Sequence, residues 1–502
     1  MIKKYSLKSL GLKLITGVLT CLIFLSGLMS LEAVDAAQTV DISKQVKLKW
    51  IVIGLGDQAD KKLVESSINK YLKDKINAVL DITTFSWGEF DQRMNIYIAA
   101  GEQYDINFTS SWTTNYRKMS EMNVYKDLTG MLDKYAPKTK ALLGDKILKS
   151  AGVNGRIYAL PVYNYNIVNS YGILLNKKLV EKYKIDTAKI TKLQDMEPYL
   201  KKIKASESGI AGFYPFDSYL SGTIINTLNY DRLLYNSPAA VKRDGKSTAV
   251  VNLYETGDAK ALFTMMNKWY KAGYIPKSAE ATQNYYDNNK SKIFAMYSSI
   301  TPTKSEEFLN SYSIDMVPVI LNKPSITTES VSGAMHAISA MCKNPERALM
   351  LLELVNTDPK LSNLINYGVE EIHYKKTGTN SISQTSRGME KYNPGSPWVF
   401  GNQTITYPLP GYTSKAVAIL KDNVKNAVAS PLAGFTFDSQ PVAAEITKTY
   451  SITDKYINDL CIGKVNPTEN LNKMNTELKK GGVQKIFTEM QLQVDRFVKN
   501  GR

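Results

Sequence analysis

Histidine and cysteine are nearly absent from this 502-residue chain, which holds two of the first and three of the second. Two histidines leave no HExxH zinc motif and little scope for a Ser/His/Asp triad or a His-rich metal centre. Cys21, Cys342 and Cys461 stand far apart, in neither CxxC nor zinc-ligand spacing, so redox-dithiol chemistry and structural zinc are not indicated. The Gly54-Leu55-Gly56 turn lacks the third glycine of a dinucleotide fingerprint, and no Walker A lysine motif occurs. No long apolar run follows residue 29, and there are no repeats, stalk or wall-anchoring tail of the kind an adhesin uses. These absences point away from cofactor, metal and nucleophilic chemistry: no catalytic residue, cofactor or metal is expected.

What is present begins with a secretory signal, expected over residues 1–37. Lys3, Lys4, Lys8 and Lys13 precede the uncharged apolar run Leu14–Met29, and Val34-Asp35-Ala36 offers small residues for cleavage. That run is shorter than the ~20 residues a membrane span needs, so a chain released outside the cytoplasm is expected. Thr20 stands before Cys21 where Gly, Ala or Ser would precede a lipidated cysteine. Cys21 therefore reads as part of the signal, with a lipid anchor the alternative. The roughly 465 residues left are too many for one core and suit two lobes. An extracellular chain this poor in cysteine is held by its core rather than by disulfides, and pairing of Cys342 with Cys461 is left open. The formal charge of +16 stays strongly positive once the signal is removed. It reads as a lysine-rich solvated surface, with peripheral attraction to an anionic ligand, membrane or wall polymer the alternative. Nucleic acid is not expected as a partner, because no recognition motif is present.

From Val46 the pattern alternates strands and helices as in an α/β lobe. Strands are expected at 46–53, 78–85 and 104–108. Helices are expected at 59–75, with Val64, Ile68, Tyr71 and Leu72 on one face, and at 88–100, closed by Gly101. Further helices fall at 176–183, 196–205 and 257–271, and Trp269 is a core residue by its helical spacing from Leu262, Met265 and Met266. A strand follows at 315–320. Asn344-Pro345-Glu346, Asp358-Pro359 and Asn466-Pro467-Thr468-Glu469 each start a helix. Val483, Ile486, Phe487, Met490, Val494 and Phe497 form the stripe of the last one.

Gly155-Arg156-Ile157-Tyr158-Ala159-Leu160-Pro161-Val162-Tyr163 reads as a strand ending at a proline, then a crossing segment. Tyr171-Gly172-Ile173-Leu174-Leu175-Asn176-Lys177-Lys178 reads as a second strand running into a helix. The pair resembles the first interlobe crossing of family-1 extracellular solute-binding proteins. Lys292–Tyr297 resembles that family's return strand, and Ser332–Ser339 its third crossing. Tyr104-Asp105-Ile106, Asn344–Ala348, Asn366–Glu370, His373-Tyr374, Trp398 with Phe400–Gln403, Gly434–Asp438 and Gln491–Asp495 are similar to the LipO-type Gram-positive branch, which ends in a domain of unknown function. Their order and spacing carry the likeness over nearly the whole mature chain.

The resemblance implies an α/β fold, a two-lobed clamp of the type II periplasmic-binding-protein kind, with discontinuous lobes, three crossings and a helical C-terminal part. Residues 38–163 with 298–338 are expected in the first lobe, and 164–297 with 339–502 in the second. It also implies a monomer that delivers a solute to two ABC permease subunits served by a cytoplasmic ATPase. Oligosaccharides are the usual cargo of such relatives, and a plant-polysaccharide-derived or acidic one is included among the expectations.

A pyranose offers a weakly apolar face and a ring of hydroxyls, so its cleft needs flat aromatics beside placed polar groups. Thr109, Ser110, Ser111 and Trp112 follow the end of a strand, where open α/β sheets bind ligands. Tyr163, Asn164 and Tyr165 lie in the first crossing, Tyr297 and Ser298 end the return strand, and His336 lies in the expected third crossing. Trp398 with Asn402 is expected to roof the cleft from the second lobe. Trp87 divides evenly between packing and ligand contact, and His373 reads as structural. Phe213, Tyr214 and Phe216 either enter the cleft or cover a sheet edge. The rival class is a secreted polysaccharide-degrading enzyme, which would need two carboxylates flanking the scissile bond. Nothing in the sequence marks Asp105, Asp217 and Glu370 as containing such a pair. A non-sugar solute such as a peptide is the other alternative.

Overall fold

The computed structural model describes residues 41–217, 223–234, 237–379 and 381–500; the expected signal segment and Cys21 lie outside them. In chain order, β1 (Val46–Gly54), β2 (Ala78–Ser86), β3 (Ile106–Thr109) and β4 (Ala159–Pro161) come first, followed by β5 (Tyr171–Asn176) and β6 (Ala211–Tyr214). A meander of β7 (Tyr230–Arg232), β8 (Ala239–Lys242) and β9 (Val251–Asn252) precedes β10 (Ile293–Ser299) and β11 (Met316–Ile320). The short β12 (Ser325–Ile326) leads to β13 (Met335–Ile338). A hairpin of β14 (Tyr374–Gly378) and β15 (Ser381–Gln384) and the short β16 (Val428–Ala429) complete the series.

Two separate sheets organise two cores. The first has the order β2-β1-β3-β13-β4, and the second β11-β5-β10-β6. β1 to β3 run parallel, and Leu48, Trp50, Ile51, Val52 and Ile53 of β1 are all buried. Such a continuous apolar run is what a parallel strand covered on both faces requires. Helix Lys61–Ile76 covers it with Val64, Ile68, Leu72 and Ile76. In the second lobe β10 lies antiparallel to β5 and parallel to β6. Helix Gly257–Lys271, expected over the same residues, buries Trp269 against Phe213 with ring centroids 5.3 Å apart. Phe213, Tyr214 and Phe216 are buried in the core of this lobe, the first two on its edge strand β6.

The expected lobe boundaries need two corrections. β10 and β11 belong to the second sheet, and Ile300, Phe308 and Met316 to its core, so residues 298–320 lie in the second lobe. Conversely, Ala348, Leu351, Leu352, Val355, Leu361 and Ile365 bury in the first core, together with Val399, Phe400 and Leu420. Residues 339–427 therefore fall with the first lobe. An apolar helical stripe specifies that a face is buried, not which sheet it covers, and that choice was not written in the 345–367 pattern. The C-terminal helices do belong to the second lobe: Ile457, Leu460, Cys461, Met474 and Leu478 pack there.

Three segments connect the lobes, two of them away from the expected places. The first is the expected one, between β4 and β5. The second lies between β11 and β13, because Met335–Ile338 is a strand between β3 and β4 of the first sheet rather than a crossing. The third runs through β16. They lie side by side: Asn169 and Ser325 exchange backbone hydrogen bonds of 2.8 and 2.9 Å, and β12 pairs in parallel with β16. Cys342 and Cys461 are both free thiols and buried.

Candidate ligand-binding site

β1, β2 and β3 end side by side, and the loops leaving their carboxyl ends carry the exposed aromatics. Trp87 follows β2, Trp112 follows β3, and Trp398 comes from the short 3-10 turn Pro397–Val399. Trp87 stacks on Trp112 with centroids 6.4 Å apart and planes 28° from parallel, and on Trp398 at 5.6 Å and 29°. Phe108, buried at the end of β3, braces Trp112 and Trp398 from behind at 5.9 and 6.5 Å. Trp87 and Trp112 keep 41% and 53% of their surface exposed, and Leu55, bridged to Ser86, keeps 55%. Exposed apolar groups clustered in this way make the loops a candidate recognition face.

The chain positions these rings through small polar residues. The buried Ser110 accepts hydrogen bonds from the backbone N–H groups of Trp112 and Thr113, and Thr109 Oγ1 donates to Thr114 O at 2.6 Å. Asp91 accepts from Thr114 N and Thr113 Oγ1 at 2.7 and 3.1 Å. Trp112 Nε1 donates to Gly333 O, and Ser111 N to Ser332 O, both at 2.8 Å. Trp398 is held by Asn164 Nδ2, which donates to its carbonyl at 3.2 Å. Its turn is anchored where Leu55 N donates to Pro394 O and Asn393 N to Gln58 Oε1.

Of the residues expected at the site, Ser111 and Trp112 stand open to solvent, Trp398 and Tyr165 are half-buried, and the rest are enclosed. Thr109 and Ser110 shape the loop. Tyr163 and Asn164 are buried and fasten the 398–403 segment: Gln403 N donates to Tyr163 O, and Tyr165 N to Gln403 Oε1. Burial raises the pKa of Tyr163 and Tyr165, the latter also through the carboxylate of Glu306. Tyr297 and Ser298 lie inside the second sheet, where Tyr297 Oη accepts from Asn226 Nδ2 and its ring stacks on Tyr171. Asn402 is buried as a cap, donating to Asn356 O and accepting from Thr404 N.

His336 is also internal. Trp50 Nε1 donates to its Nδ1 at 3.2 Å, so Nε2 carries the proton given to Val399 O at 2.7 Å. Burial pushes its pKa down to about 4. Trp398 corrects a further expectation, because it packs on the first core and cannot roof the cleft from the second lobe. Trp87 completes the indole row from a position one step beyond the end of β2, the same signal that picked out Trp112. From the second lobe, helix Lys304–Tyr312 brings Glu306 within reach of the first, where Thr413 Oγ1 donates to Glu306 Oε1 at 3.0 Å. No sequence signal had singled out Glu306.

The three candidate carboxylates are not gathered. Asp105 precedes β3, at the end away from Trp112, and accepts from Lys49 N, while Glu370 pairs with Lys376 at 3.1 Å. Asp217 lies just beyond β6 of the second sheet. Among the described residues no group of three or more His, Cys, Asp and Glu side chains is arranged to hold a metal ion. No helix among them is long and apolar enough to cross a membrane.

Comparison with known proteins agrees with the two-lobed fold. A carbohydrate ABC transporter substrate-binding protein of Streptococcus pneumoniae serotype 4 (strain ATCC BAA-334 / TIGR4) is 29% identical over 475 residues, covering 93% of this chain and 94% of that protein. The crystal structure of the N-glycan transport solute binding protein (NgtS) from Streptococcus pneumoniae is similar at 28% identity and TM-score 0.76, over 91% of this chain and 100% of that one. With Man1GlcNAc in complex, the same protein gives 27% identity and a TM-score of 0.64, with the same coverage. An extracellular solute-binding protein from Bifidobacterium longum subsp. infantis shares the fold at 15% identity, TM-score 0.62, over 91% of this chain and 100% of that one. Residues 431–499 match a family described only as a domain of unknown function (DUF3502). Residues 57–356, more than half of the sequence, match the bacterial extracellular solute-binding protein family, and the chain belongs to it.

Proposed function

We propose that this protein captures a neutral oligosaccharide between its lobes and hands it, unaltered, to the permeases of a type I ABC importer. The observation that carries this reading is the stacked row Trp112, Trp87 and Trp398 at the carboxyl ends of the first sheet, the first two of them exposed. Indoles pair with the C–H faces of pyranose rings, and the parts of Trp87 and Trp112 left uncovered by their mutual stacking offer such a surface. The groups set beside them are hydroxyls, amides and the carboxylate of Asp91, with no Lys or Arg among the residues assigned to the wall, which favours an uncharged glycan. Glycans of mannose and N-acetylglucosamine, one of which is bound by the pneumococcal relative, are the first to try.

Titration calorimetry with a panel of neutral and uronic-acid oligosaccharides tests the reading. A neutral glycan is expected to bind, and its products recovered afterwards are expected to show no new reducing ends. Trp112→Ala is expected to weaken binding by roughly tenfold, on the order of 1.4 kcal/mol. No heat with any sugar, or full affinity in Trp112→Ala, would overturn it.

A further inference from the structure

Residues 431–499 have a family match but no assigned role. The segment that leads into them leaves the first lobe at Ala427, whose carbonyl accepts from Lys146 Nζ at 3.1 Å. It then runs along the crossings: Val428 N donates to Pro324 O, and Ser430 N to Ile326 O. Thr328, two residues past this ladder on the second crossing, is bonded in both directions. Its Oγ1 accepts from Gly434 N at 2.9 Å and donates to Leu432 O at 3.4 Å. Gly434 has φ +89°, and a Cβ there would press on the Lys149 carbonyl at the end of helix Pro137–Ala151, so the strap lies close against the first lobe.

On its other side the strap belongs to a small third core. Leu432, Phe435 and Phe437 pack with Ile486, Met490 and Val494 of helix Val483–Lys499 and with Ala239 and Val241 of β8. Two residues beyond Val241, the buried Arg243 turns back to the same crossing. Its Nε donates to Asp231 Oδ1 at 2.6 Å, Nη2 to Tyr230 O at 2.7 Å and Nη1 to Ser325 Oγ at 3.2 Å. The last helix also fixes the meander through Gln491 Oε1, which accepts from Val250 N at 2.7 Å.

We infer that residues 431–499 are a hinge plate, a body fixed to the second lobe that grips the crossings directly through the strap at Thr328 and, by packing on β8, through Arg243, and so sets how freely the lobes swing. A hinge needs a few residues whose dihedral angles absorb the motion. Here those residues are tied laterally at two points to a packed core, which limits the range of angles the open protein samples. The inference rests on the two-lobed fold and the strap, not on the identity of the solute.

Pulsed electron-paramagnetic-resonance distances tests this without ligand. Labels go on Lys62→Cys in the first lobe and Lys201→Cys in the second, both exposed, while Cys342 and Cys461 are buried. Thr328→Val keeps the shape and removes both side-chain bonds to the strap. It is expected to widen the interlobe distance distribution by roughly twofold, as a loosened two-state hinge would. Thr328→Ser is expected to restore the parent width, and Arg243→Gln to widen it as Thr328→Val does. An unchanged width in a cooperatively melting Thr328→Val protein would overturn the inference. So would failure of Thr328→Ser to restore it, since the effect would then be packing. Arg243 sits in a buried ion pair, so should Arg243→Gln fail to fold, the Thr328 pair still decides.

Discussion

At the scale of the residue, His336 shows how a side chain with functional chemistry is taken up by the core. Its ring is enclosed, receives a hydrogen bond from Trp50 and gives one to Val399 O, and burial keeps it neutral, with a pKa of about 4. The unfolded chain binds a proton near the ordinary value of about 6.5, whereas the folded chain resists until about 4. Stability from this site is therefore fully present above pH 6.5 and is lost as pH falls toward 4. Melting temperatures from pH 7 to 4 are expected to fall more steeply for the native protein than for His336→Gln, whose lower starting stability reflects the disturbed Trp50 and Val399 contacts. Equal slopes would show that His336 takes no part. The sequence put His336 in a crossing, whereas it lies within β13, and its enclosure could not be read because its partners Trp50 and Val399 lie 286 and 63 positions away. Asp60 is a second such case: Arg387 and then His373 hydrogen-bond its carboxylate and hold it at about 2, pinning the hairpin region to the first lobe.

At the scale of the element, starts and stops were legible and partners were not. Asp358 accepts from Lys360 N and Leu361 N, Asn466 from Glu469 N, and Gly101 closes its helix at φ 65°, as local chemistry demands. Trp87 and Trp112 were reachable by position alone, since both follow strands that the alternation of the sequence had located. Trp398 was not, because its turn is set by a contact between Pro394 and the end of β1. Gly54 permits that approach: a Cβ at this position would run into the Pro394 carbonyl and the Thr84 methyl group. Gly54→Ala is expected to displace the 394–398 turn, lowering stability by about 1–3 kcal/mol and removing Trp398 from the row. Denaturant unfolding would show the first effect and loss of Trp87–Trp398 exciton coupling in circular dichroism the second. An unperturbed spectrum would mean that the turn is held elsewhere.

At the scale of the whole molecule, the clamp was legible because the order of motifs along the chain encodes two lobes, whereas the lobe borders after residue 297 depended on contacts that no local pattern carries. The threading that results has a bearing on when the protein can fold. The first sheet is interrupted between β3 and β4 until β13 arrives, and the second core awaits the helices at 443–480. Neither half is self-sufficient during synthesis, unlike domains that fold in order as they emerge. A chain truncated after residue 330 is expected to remain protease-sensitive throughout, and resistant fragments of either half would contradict this. Late completion keeps the polypeptide pliable until its last helices have been made, so that the two halves set together rather than in turn.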